Sequence, residues 1–247
     1  MLVCALCKQS VSSLRKSHLI PAGFYRQMTR SSAGYTSATQ KVASNTSQQV
    51  KELLLGDCCE QLLEKNGEGW VLKNYFKDGK FPILDNLTKV HPAIIKGNTK
   101  YLDTQSNPEI NTEKMIYFAA SVFWRASTCT WRFPDSSPYS IQLGPYLEPL
   151  RLFLLGQSGF PIDTTLGIFI SPVPKQDGVI FPQRAHRTGD HFMRHAFFVP
   201  GISFVLCTGK RIPKGIKDEC AARTKSLMLN TDGEQLARQL RTTLAQP

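Results

Sequence analysis

Four cysteines in the first quarter of the chain have the residue type and spacing of a metal site. Cys4 and Cys7 are separated by two residues, and Cys58 and Cys59 are adjacent to each other. Two residues between a pair of thiolates let both sulfur atoms reach one tetrahedral ion at about 2.3 Å. The four cysteines are therefore candidate ligands of a structural Zn²⁺. Two alternatives stay open: another group replaces Cys58 as fourth ligand, because adjacent side chains diverge, or the thiols are buried without a metal.

Three short segments follow one another in an order that resembles a known family. A Cys-x-x-Cys knuckle is followed by Ser-His-Leu-Ile-Pro at residues 17–21 and by Leu-Leu-Gly-Asp-Cys-Cys-Glu at residues 54–60. In this order they resemble the treble-clef, ββα-metal finger of the HNH nuclease superfamily, and more specifically a divergent bacterial subgroup. The resemblance covers about residues 1–70. It implies a metal-dependent endonuclease that hydrolyses phosphodiesters, and an effector role in bacterial defence against phage.

The resemblance also implies roles for individual side chains. His18 stands where the family has the general base that activates water, and an imidazole pKa near ~6.5 suits that reaction at neutral pH. Glu60 stands where the family has a metal-binding histidine, and its carboxylate suits Mg²⁺ or Mn²⁺. Glu64, one helical turn later, faces the same way and offers a second oxygen ligand.

Two departures from the family pattern favour a different function. Ser17 replaces the usual Asp before the base, and Gly56 stands where the pattern has its third zinc cysteine. A hydroxyl is a poorer metal ligand than a carboxylate, and a missing thiolate weakens a structural zinc site. The alternative function is a non-catalytic zinc module that binds nucleic acid or a protein partner through a basic surface. For His18, the alternative is a structural or zinc-binding histidine.

Charge and composition indicate the class of partner and exclude others. The 247 residues include 30 Lys and Arg against 19 Asp and Glu, a formal charge of +11, so we expect a nucleic-acid partner, with DNA first. Seven cysteines in a chain of this length do not fit a secreted disulfide framework. The apolar stretches fall short of the ~20 residues of a membrane span, and the first residues do not resemble a signal peptide. We therefore expect a cytoplasmic protein without membrane association.

The pattern of apolar residues predicts an α+β fold in three parts. Residues 1–75 are predicted to form the small zinc-stabilised treble-clef finger, and residues 76–110 a connecting segment with short strands. Residues 111–247 are predicted to form a mixed α+β domain of unknown role, which binds a protein partner, a signal or nucleic acid. An apolar fraction of 41% with 20% charged residues is sufficient for a folded core.

Local signals predict the elements of the first part. Asp57 is expected to cap a helix that begins near Cys58, and Gly67 and Gly69 are expected to end it. Residues 29–49 are rich in Ser, Thr, Ala and Gln and contain few large apolar side chains. That composition predicts a long, mobile loop.

The third part has two kinds of periodicity. Apolar residues at helical spacing predict three helices, over Glu113–Ser127, Leu147–Leu155 and Asp232–Leu244. Short apolar runs separated by Pro, Gly and Asp predict strands at Leu166–Ile170, Val179–Phe181, His195–Val199 and Ile202–Leu206.

Two further groups of cationic and aromatic residues are candidates for ligand contacts. His186, His191 and His195 are interleaved with arginines, and we expect an exposed basic loop there, with a phosphate-binding edge as the alternative. The pair Trp124-Arg125 places an aromatic ring beside a cation, as in nucleic-acid surfaces. The helical spacing of Trp124 favours a position in the core instead.

Overall fold

In the computed structural model of the protein, residues 1–31, 35–38, 43–46, 49–133, 137–172, 178–183, 186–188 and 192–230 are described. These residues form a mixed α+β fold, which confirms the predicted class. No helix in these ranges has the length and apolar character needed to cross a membrane.

The N-terminal part consists of two small antiparallel strand pairs, a hairpin and two helices. Its elements are β1 (Leu2–Val3), β2 (Ser10–Val11), β3 (Arg15–His18), α1 (Ala22–Ser31), β4 (Tyr35–Ala38), β5 (Ala43–Thr46), β6 (Lys51–Leu55) and α2 (Asp57–Leu63). β1 pairs with β2 on either side of the cysteine knuckle, and β3 pairs with β6. β6 leads directly into α2, and α2 packs against β3. The start of β3 therefore lies beside the start of α2, where Arg15 pairs with Asp57, and Ser17 near the end of β3 contacts Glu60 one turn later.

The helix that starts with α2 does not end at the predicted glycines. It continues through a π-helical turn, Glu64–Glu68, into α3 (Gly69–Asn74). Gly67 is buried in this turn, and a Cβ atom there would lie 2.7 Å from the backbone nitrogen of Phe118. The absence of a side chain at Gly67 therefore permits two helices to approach closely, and the glycine does not terminate the helix.

The remaining elements build one large sheet and the helices around it. They are α4 (Pro82–Leu87), β7 (Pro92–Lys96), β8 (Thr99–Asp103), α5 (Thr112–Thr128), β9 (Trp131–Arg132), β10 (Pro138–Tyr139), α6 (Leu147–Leu154), β11 (Thr164–Ile170), β12 (Gly178–Ile180), β13 (His186–Thr188), β14 (Phe192–Val199), β15 (Ile202–Thr208), α7 (Lys214–Asp218), α8 (Ala221–Thr224) and β16 (Ser226–Asn230). The order in the sheet is β5-β4-β12-β14-β15-β11-β16-β8-β7, and β13 pairs with β14. The four strands predicted in the third part are confirmed as β11, β12, β14 and β15.

The longest helix packs on the middle of this sheet. α5 begins after Asn111, whose side chain accepts a hydrogen bond from the backbone N–H three residues later at 3.0 Å. From α5, the ring of Phe118 contacts the rings of Phe197 on β14 and Phe204 on β15, with centroid separations of 5.9 and 5.4 Å. The predicted helices that correspond to α5 and α6 are confirmed.

A hairpin occupies much of the segment predicted to be a mobile loop. β4 pairs with β5 and, in parallel, with β12, so this hairpin extends the large sheet. Backbone hydrogen bonds hold such strands, which therefore need no run of large apolar side chains. The loop prediction is wrong for Tyr35–Ala38, for Ala43–Thr46 and for the end of α1. Residues 32–34, 39–42 and 47–48 lie outside the described residues.

The main cluster of buried apolar side chains extends from Cys4 near the N-terminus to Leu229 on β16. It contains residues of the strand pairs, of the helices and of the sheet. β7 and β8, from the predicted connecting segment, are the last two strands of the large sheet. The division into three parts stays a prediction, and the helix predicted over Asp232–Leu244 lies outside the described residues.

Candidate metal centre

Three of the four predicted zinc ligands lie together. The Sγ atoms of Cys4, Cys7 and Cys59 are all within 4.8 Å of one another, although these residues belong to the knuckle and to the first turn of α2. Sulfur ligands of one tetrahedral zinc ion are about 3.8 Å apart, because each Zn–S bond is about 2.3 Å. Thiolates are soft ligands that favour zinc among the common ions. This cluster can hold a metal ion, consistent with a structural Zn²⁺.

Backbone hydrogen bonds fix the position of the knuckle. The N–H of Lys8 donates to the carbonyl of Cys4 at 2.9 Å, and Lys8 adopts a positive φ of 62° that closes the turn. The N–H of Ala5 donates to the carbonyl of Leu54 on β6 at 3.0 Å. The knuckle is therefore attached to the strand that leads into α2, and this attachment brings Cys4 close to Cys59.

Gly56 precedes α2, at the position where the resemblance would place a third cysteine. It is the residue before the first turn of the helix, so the predicted cap at Asp57 is wrong and Asp57 is the first helical residue. A Cβ atom at Gly56 would lie 2.9 Å from Cγ1 of Val11 on β2. A cysteine at this position would require Val11 to move, so the close packing of β2 on the helix start leaves the cluster with three thiols.

The thiols of Cys4 and Cys59 differ in acidity. Burial raises the pKa of Cys4, but hydrogen bonds from the backbone N–H groups of Gly56, Cys7 and Leu6 outweigh it and lower the pKa below its ordinary value. Burial raises the pKa of Cys59, and the neighbouring thiols of Cys4 and Cys7 raise it further. A thiol that coordinates a metal is deprotonated, so the sulfur atoms of such a cluster are negatively charged and repel one another. A bound cation offsets this repulsion.

The structure does not bring Cys58 to the cluster. Its side chain is exposed, although it directly precedes the buried Cys59. Within the described parts of the chain, Cys4, Cys7 and Cys59 form the one group of three or more close His, Cys, Asp or Glu ligands. The fourth ligand of a tetrahedral ion at this cluster would therefore be water or another group rather than Cys58.

His18 is the last residue of β3, and hydrogen bonds hold both its ring and its backbone carbonyl. Its Nε2 atom lies 2.7 Å from Oε1 of Gln49, and its backbone carbonyl accepts a hydrogen bond from Arg125 at 2.9 Å. Burial lowers the pKa of His18, an effect opposed by the hydrogen bond with Gln49. The charges of Lys51 and Arg125 lower the pKa further, and the charge of Glu60 raises it. The balance keeps the imidazole neutral at neutral pH.

Glu60 and Glu64 lie on the helix beside the end of β3. The hydroxyl of Ser17 donates a short hydrogen bond to Oε1 of the half-buried Glu60. Glu64 is exposed at the start of the π-helical turn. Among the residues with described side chains, His18 and these two carboxylates do not form a ready-made group of three ligands. Ser17 therefore binds the carboxylate of Glu60 by a hydrogen bond. In this role Ser17 does not compete with Glu60 as a metal ligand.

Sequence reasoning missed a buried ion pair behind His18. Arg125 of α5 is 1% exposed and forms an ion pair of 2.6 Å with Glu68 at the end of the π-helical turn. Its guanidinium also donates to the carbonyl of His18 and to the carbonyl and hydroxyl oxygens of Ser121. The nucleic-acid surface suggested by Trp124-Arg125 is therefore wrong, since both side chains are buried. The sequence does carry one signal for this ion pair: Arg125 is a single cation within the apolar stripe of α5, and such a buried cation requires an acidic partner.

The histidine-rich segment also differs from its prediction. His195 is fully buried on β14, and its Nδ1 atom lies 3.1 Å from the carbonyl oxygen of Gln183. Burial lowers the pKa of His195, an effect that this hydrogen bond opposes. The prediction of an exposed basic loop is therefore wrong for His195. His191 lies outside the described residues, and of His186 only the backbone, on β13, is described.

Comparison of the chain with protein-family models, with curated proteins and with solved structures finds no match. The resemblance to the HNH superfamily therefore stays a hypothesis, and the chemistry of the site has to be inferred from its own geometry.

Proposed function

We propose that this protein is a metal-dependent endonuclease of the HNH type, in which a treble-clef finger stabilised by zinc positions His18 as general base. The order of its parts supports this proposal. A cysteine knuckle is followed by the antiparallel pair β3–β6 and then by α2, which carries Cys59 in its first turn. Through the contact of Ser17 with Glu60, the end of β3, where His18 lies, is beside α2 one turn after its start.

The hydrogen bond between His18 and Gln49 carries the proposal. When the amide oxygen of Gln49 accepts the proton of Nε2–H, the lone pair of the neutral ring lies on Nδ1. Nδ1 forms no hydrogen bond with the described side chains or backbone. A neutral imidazole whose tautomer is fixed and whose other nitrogen is available has the form required of a general base. Burial, which lowers the pKa of His18, keeps it in this form near neutral pH.

Glu60 is the side chain best placed to hold a catalytic divalent ion. Mg²⁺ in proteins is commonly bound through one or two carboxylates together with waters and substrate phosphates, so a ready-made cage is not required. Ser17 binds Oε1 of Glu60 and leaves Oε2 for a ligand, and the exposed Glu64 offers a second carboxylate nearby on the helix. An ion bound there would supply charge stabilisation at the leaving oxygen of the phosphodiester.

The substrate in this proposal is nucleic acid, because the chain carries a net charge of +11, and DNA comes first as the expectation that accompanies the HNH resemblance. A role as an effector of defence against phage, a protein partner for the C-terminal part and a cytoplasmic location extend the proposal from the resemblance and the composition. Each of these three extensions can be tested independently of the chemistry at His18.

A second candidate function is a non-catalytic zinc module that binds nucleic acid or a protein. The contact between Ser17 and Glu60 favours it, because one carboxylate oxygen is already engaged within the protein. The three-thiol cluster favours it as well, since a finger that only positions a surface needs no catalytic ion. Both functions use the same fold and the same zinc site, so cleavage distinguishes between them.

A metal titration of cleavage tests the proposal. The full chain, purified without chelators, is incubated with labelled duplex and single-stranded oligonucleotides at increasing Mg²⁺ or Mn²⁺. We expect cleavage that depends on the added ion, and a loss of activity in Glu60→Gln that higher Mn²⁺ partly restores. Glu109→Gln, which removes an exposed carboxylate from another part of the chain, is the matched control. Zinc-loaded protein that cleaves neither substrate with either ion supports the binding module instead.

A further inference from the structure

A short segment after β15 concentrates positive charge on the surface. Residues 209–217 read Gly-Lys-Arg-Ile-Pro-Lys-Gly-Ile-Lys and contain no acidic residue. We call residues 209–217 the basic segment. Its four cationic side chains are exposed: Lys210, Arg211, Lys214 and Lys217.

Two isoleucines hold the basic segment on the sheet. Ile212 is 4% exposed and packs in a small cluster with Phe192 of β14 and Cys207 of β15, and Ile216 packs against the same cluster. This cluster is separate from the main core. The packing of these two isoleucines holds the backbone of the basic segment against the sheet, while its four cationic side chains are exposed.

The cations of the basic segment form no ion pair within the described ranges. The ion pairs observed in the described ranges join Arg15 to Asp57, Arg125 to Glu68, Arg151 to Glu148 and Lys225 to Glu113. None of them involves the basic segment. The nearest acidic residue in sequence, Asp218, follows the segment and is exposed. A cluster of uncompensated cations attracts a polyanion.

A cleft lies beside the first two cations. Its volume is about 500 Å³, and it is lined by Tyr146, Met193, Thr208, Gly209, Lys210 and Arg211. This volume is within the range of small-molecule sites in proteins, about 300–1,000 Å³. The cleft therefore has room for one nucleotide of a longer strand.

The walls of the cleft combine an aromatic ring, an apolar surface and charge. Met193 is 37% exposed, so part of its apolar side chain is open to solvent. Tyr146 is half-buried, and burial together with the charge of Asp163 raises its pKa. Bases of single-stranded nucleic acids stack on such rings, while cations at the rim hold the phosphates.

We propose that the basic segment and this cleft bind single-stranded nucleic acid, with one base against Tyr146 and Met193 and the adjoining phosphates on Lys210 and Arg211. The site is connected to the cysteine knuckle, because α6 begins directly after Tyr146 and its Arg151 donates to the carbonyl of Leu6 at 2.6 Å. Binding at this site does not depend on cleavage, since a non-catalytic module would use the same surface.

Fluorescence anisotropy with a labelled 15-nucleotide single strand, without added Mg²⁺ or Mn²⁺, tests this site. Each phosphate contact contributes about −0.7 to the slope of log affinity against log salt, or about fivefold in affinity at 0.1 M salt. We expect Lys210→Gln/Arg211→Gln to bind about 25-fold more weakly at 0.1 M salt, with a slope about 1.4 shallower. The control Lys80→Gln/Lys89→Gln removes the same charge from exposed positions elsewhere, and we expect it to bind nearly as the wild type.

The aromatic contact has its own variant. Tyr146→Ala is expected to weaken binding by about 5- to 100-fold without a change in the salt slope, because stacking carries no charge. The substituted side chains are exposed or half-buried, and equal thermal unfolding of all variants verifies that they fold. Equal losses in the two double variants would overturn the site. So would binding of poly-glutamate as tight as that of the oligonucleotide and equally insensitive to Tyr146→Ala, which would identify an acidic protein as the partner.

Discussion

At the scale of single residues, the cysteine cluster depends both on the three thiols that it contains and on the neighbouring residues that contribute no thiol. Cys59 points into the protein and Cys58 points out, because adjacent residues at a helix start face different directions. Gly56 cannot be exchanged for a ligand without moving Val11. A zinc ion at this cluster would therefore have three thiolate ligands from the protein.

Cysteine-to-serine variants test this ligand set. Elemental analysis of protein purified without chelators is expected to give about one zinc per chain for the wild type. Cys4→Ser, Cys7→Ser and Cys59→Ser are each expected to lower the zinc content strongly, because a serine hydroxyl is a much weaker zinc ligand than a thiolate. Cys58→Ser is the matched control and should keep its zinc. Zinc-free wild-type protein, or an equal loss in Cys58→Ser and Cys59→Ser, contradicts the site.

The buried His195 predicts how stability depends on pH. Its pKa is lowered in the folded protein by burial, whereas in the unfolded chain it is about 6.5. The neutral folded state resists protonation, so its stabilising contribution is complete above about pH 6.5 and is lost as the pH falls from there through the folded pKa. A tenfold difference in proton affinity between the folded and unfolded states corresponds to about 1.4 kcal/mol of stability.

Urea unfolding at pH 7.5 and at pH 5.5 measures this contribution. The free energy of unfolding of the wild type should fall more between these values than that of His195→Asn, in which an amide can still donate to the carbonyl of Gln183. Equal decreases in the two proteins would show that His195 does not titrate with a lowered pKa. His91→Asn, at an exposed histidine, is the control and should behave as the wild type.

Short-range signals explain which site residues could be predicted from the sequence. The spacing of Cys4 and Cys7 is local, and the position of Cys59 follows from a helix start that is also local. Arg125 and Glu68 could not be predicted in the same way, because the contact of Arg125 with His18 joins residues 107 positions apart. Gln49, which holds the imidazole, lies 31 positions from His18 across an insertion.

At the scale of elements, Arg125 connects three of them. It extends from α5 to the end of β3 through His18 and to the π-helical turn through Glu68. A buried ion pair is costly to break on one side only, since an unpaired charge then remains inside the protein. The pair therefore fixes the position of α5 relative to the strand that carries His18.

A double-variant cycle tests this connection. Arg125→Met is expected to lower the free energy of unfolding by about 3–5 kcal/mol, because Glu68 loses its partner. Arg125→Met/Glu68→Leu should lose less than the single variant, since no buried charge remains. Glu113→Gln, in the exposed pair with Lys225, is the control and should cost less than about 1 kcal/mol. If the loss of unfolding free energy in the double variant equals the sum of the losses in Arg125→Met and in Glu68→Leu, the two side chains act independently.

The elements also differ in how well the sequence predicts them. α5 and the strands β11, β14 and β15 have strong periodicity, and their predictions are confirmed. The hairpin β4–β5 was missed because backbone pairing with β12 holds it, and backbone pairing leaves little trace in side-chain type. The π-helical turn was missed because Gly67, which suggests a helix end, is needed instead for packing on Phe118.

At the scale of the whole molecule, the N-terminal strand pairs and the large sheet share one core. α5 contacts the sheet through Phe118 on one side and holds His18 through Arg125 on the other. α6 joins the knuckle, through Arg151 and the carbonyl of Leu6, to the neighbourhood of the cleft. The proposed base, the cysteine cluster and the proposed strand-binding surface therefore belong to one connected framework.

The most direct test of the proposed activity is cleavage by the wild type and by His18→Ala, measured side by side with Mn²⁺ or Mg²⁺ on the same oligonucleotide. General-base catalysis contributes about 10²- to 10⁴-fold, so we expect His18→Ala to cleave that much more slowly. Its zinc content and its affinity for the oligonucleotide should match the wild type, and His91→Ala should cleave normally. Equal cleavage rates in wild type and His18→Ala, or no cleavage by the zinc-loaded wild type, would contradict the nuclease.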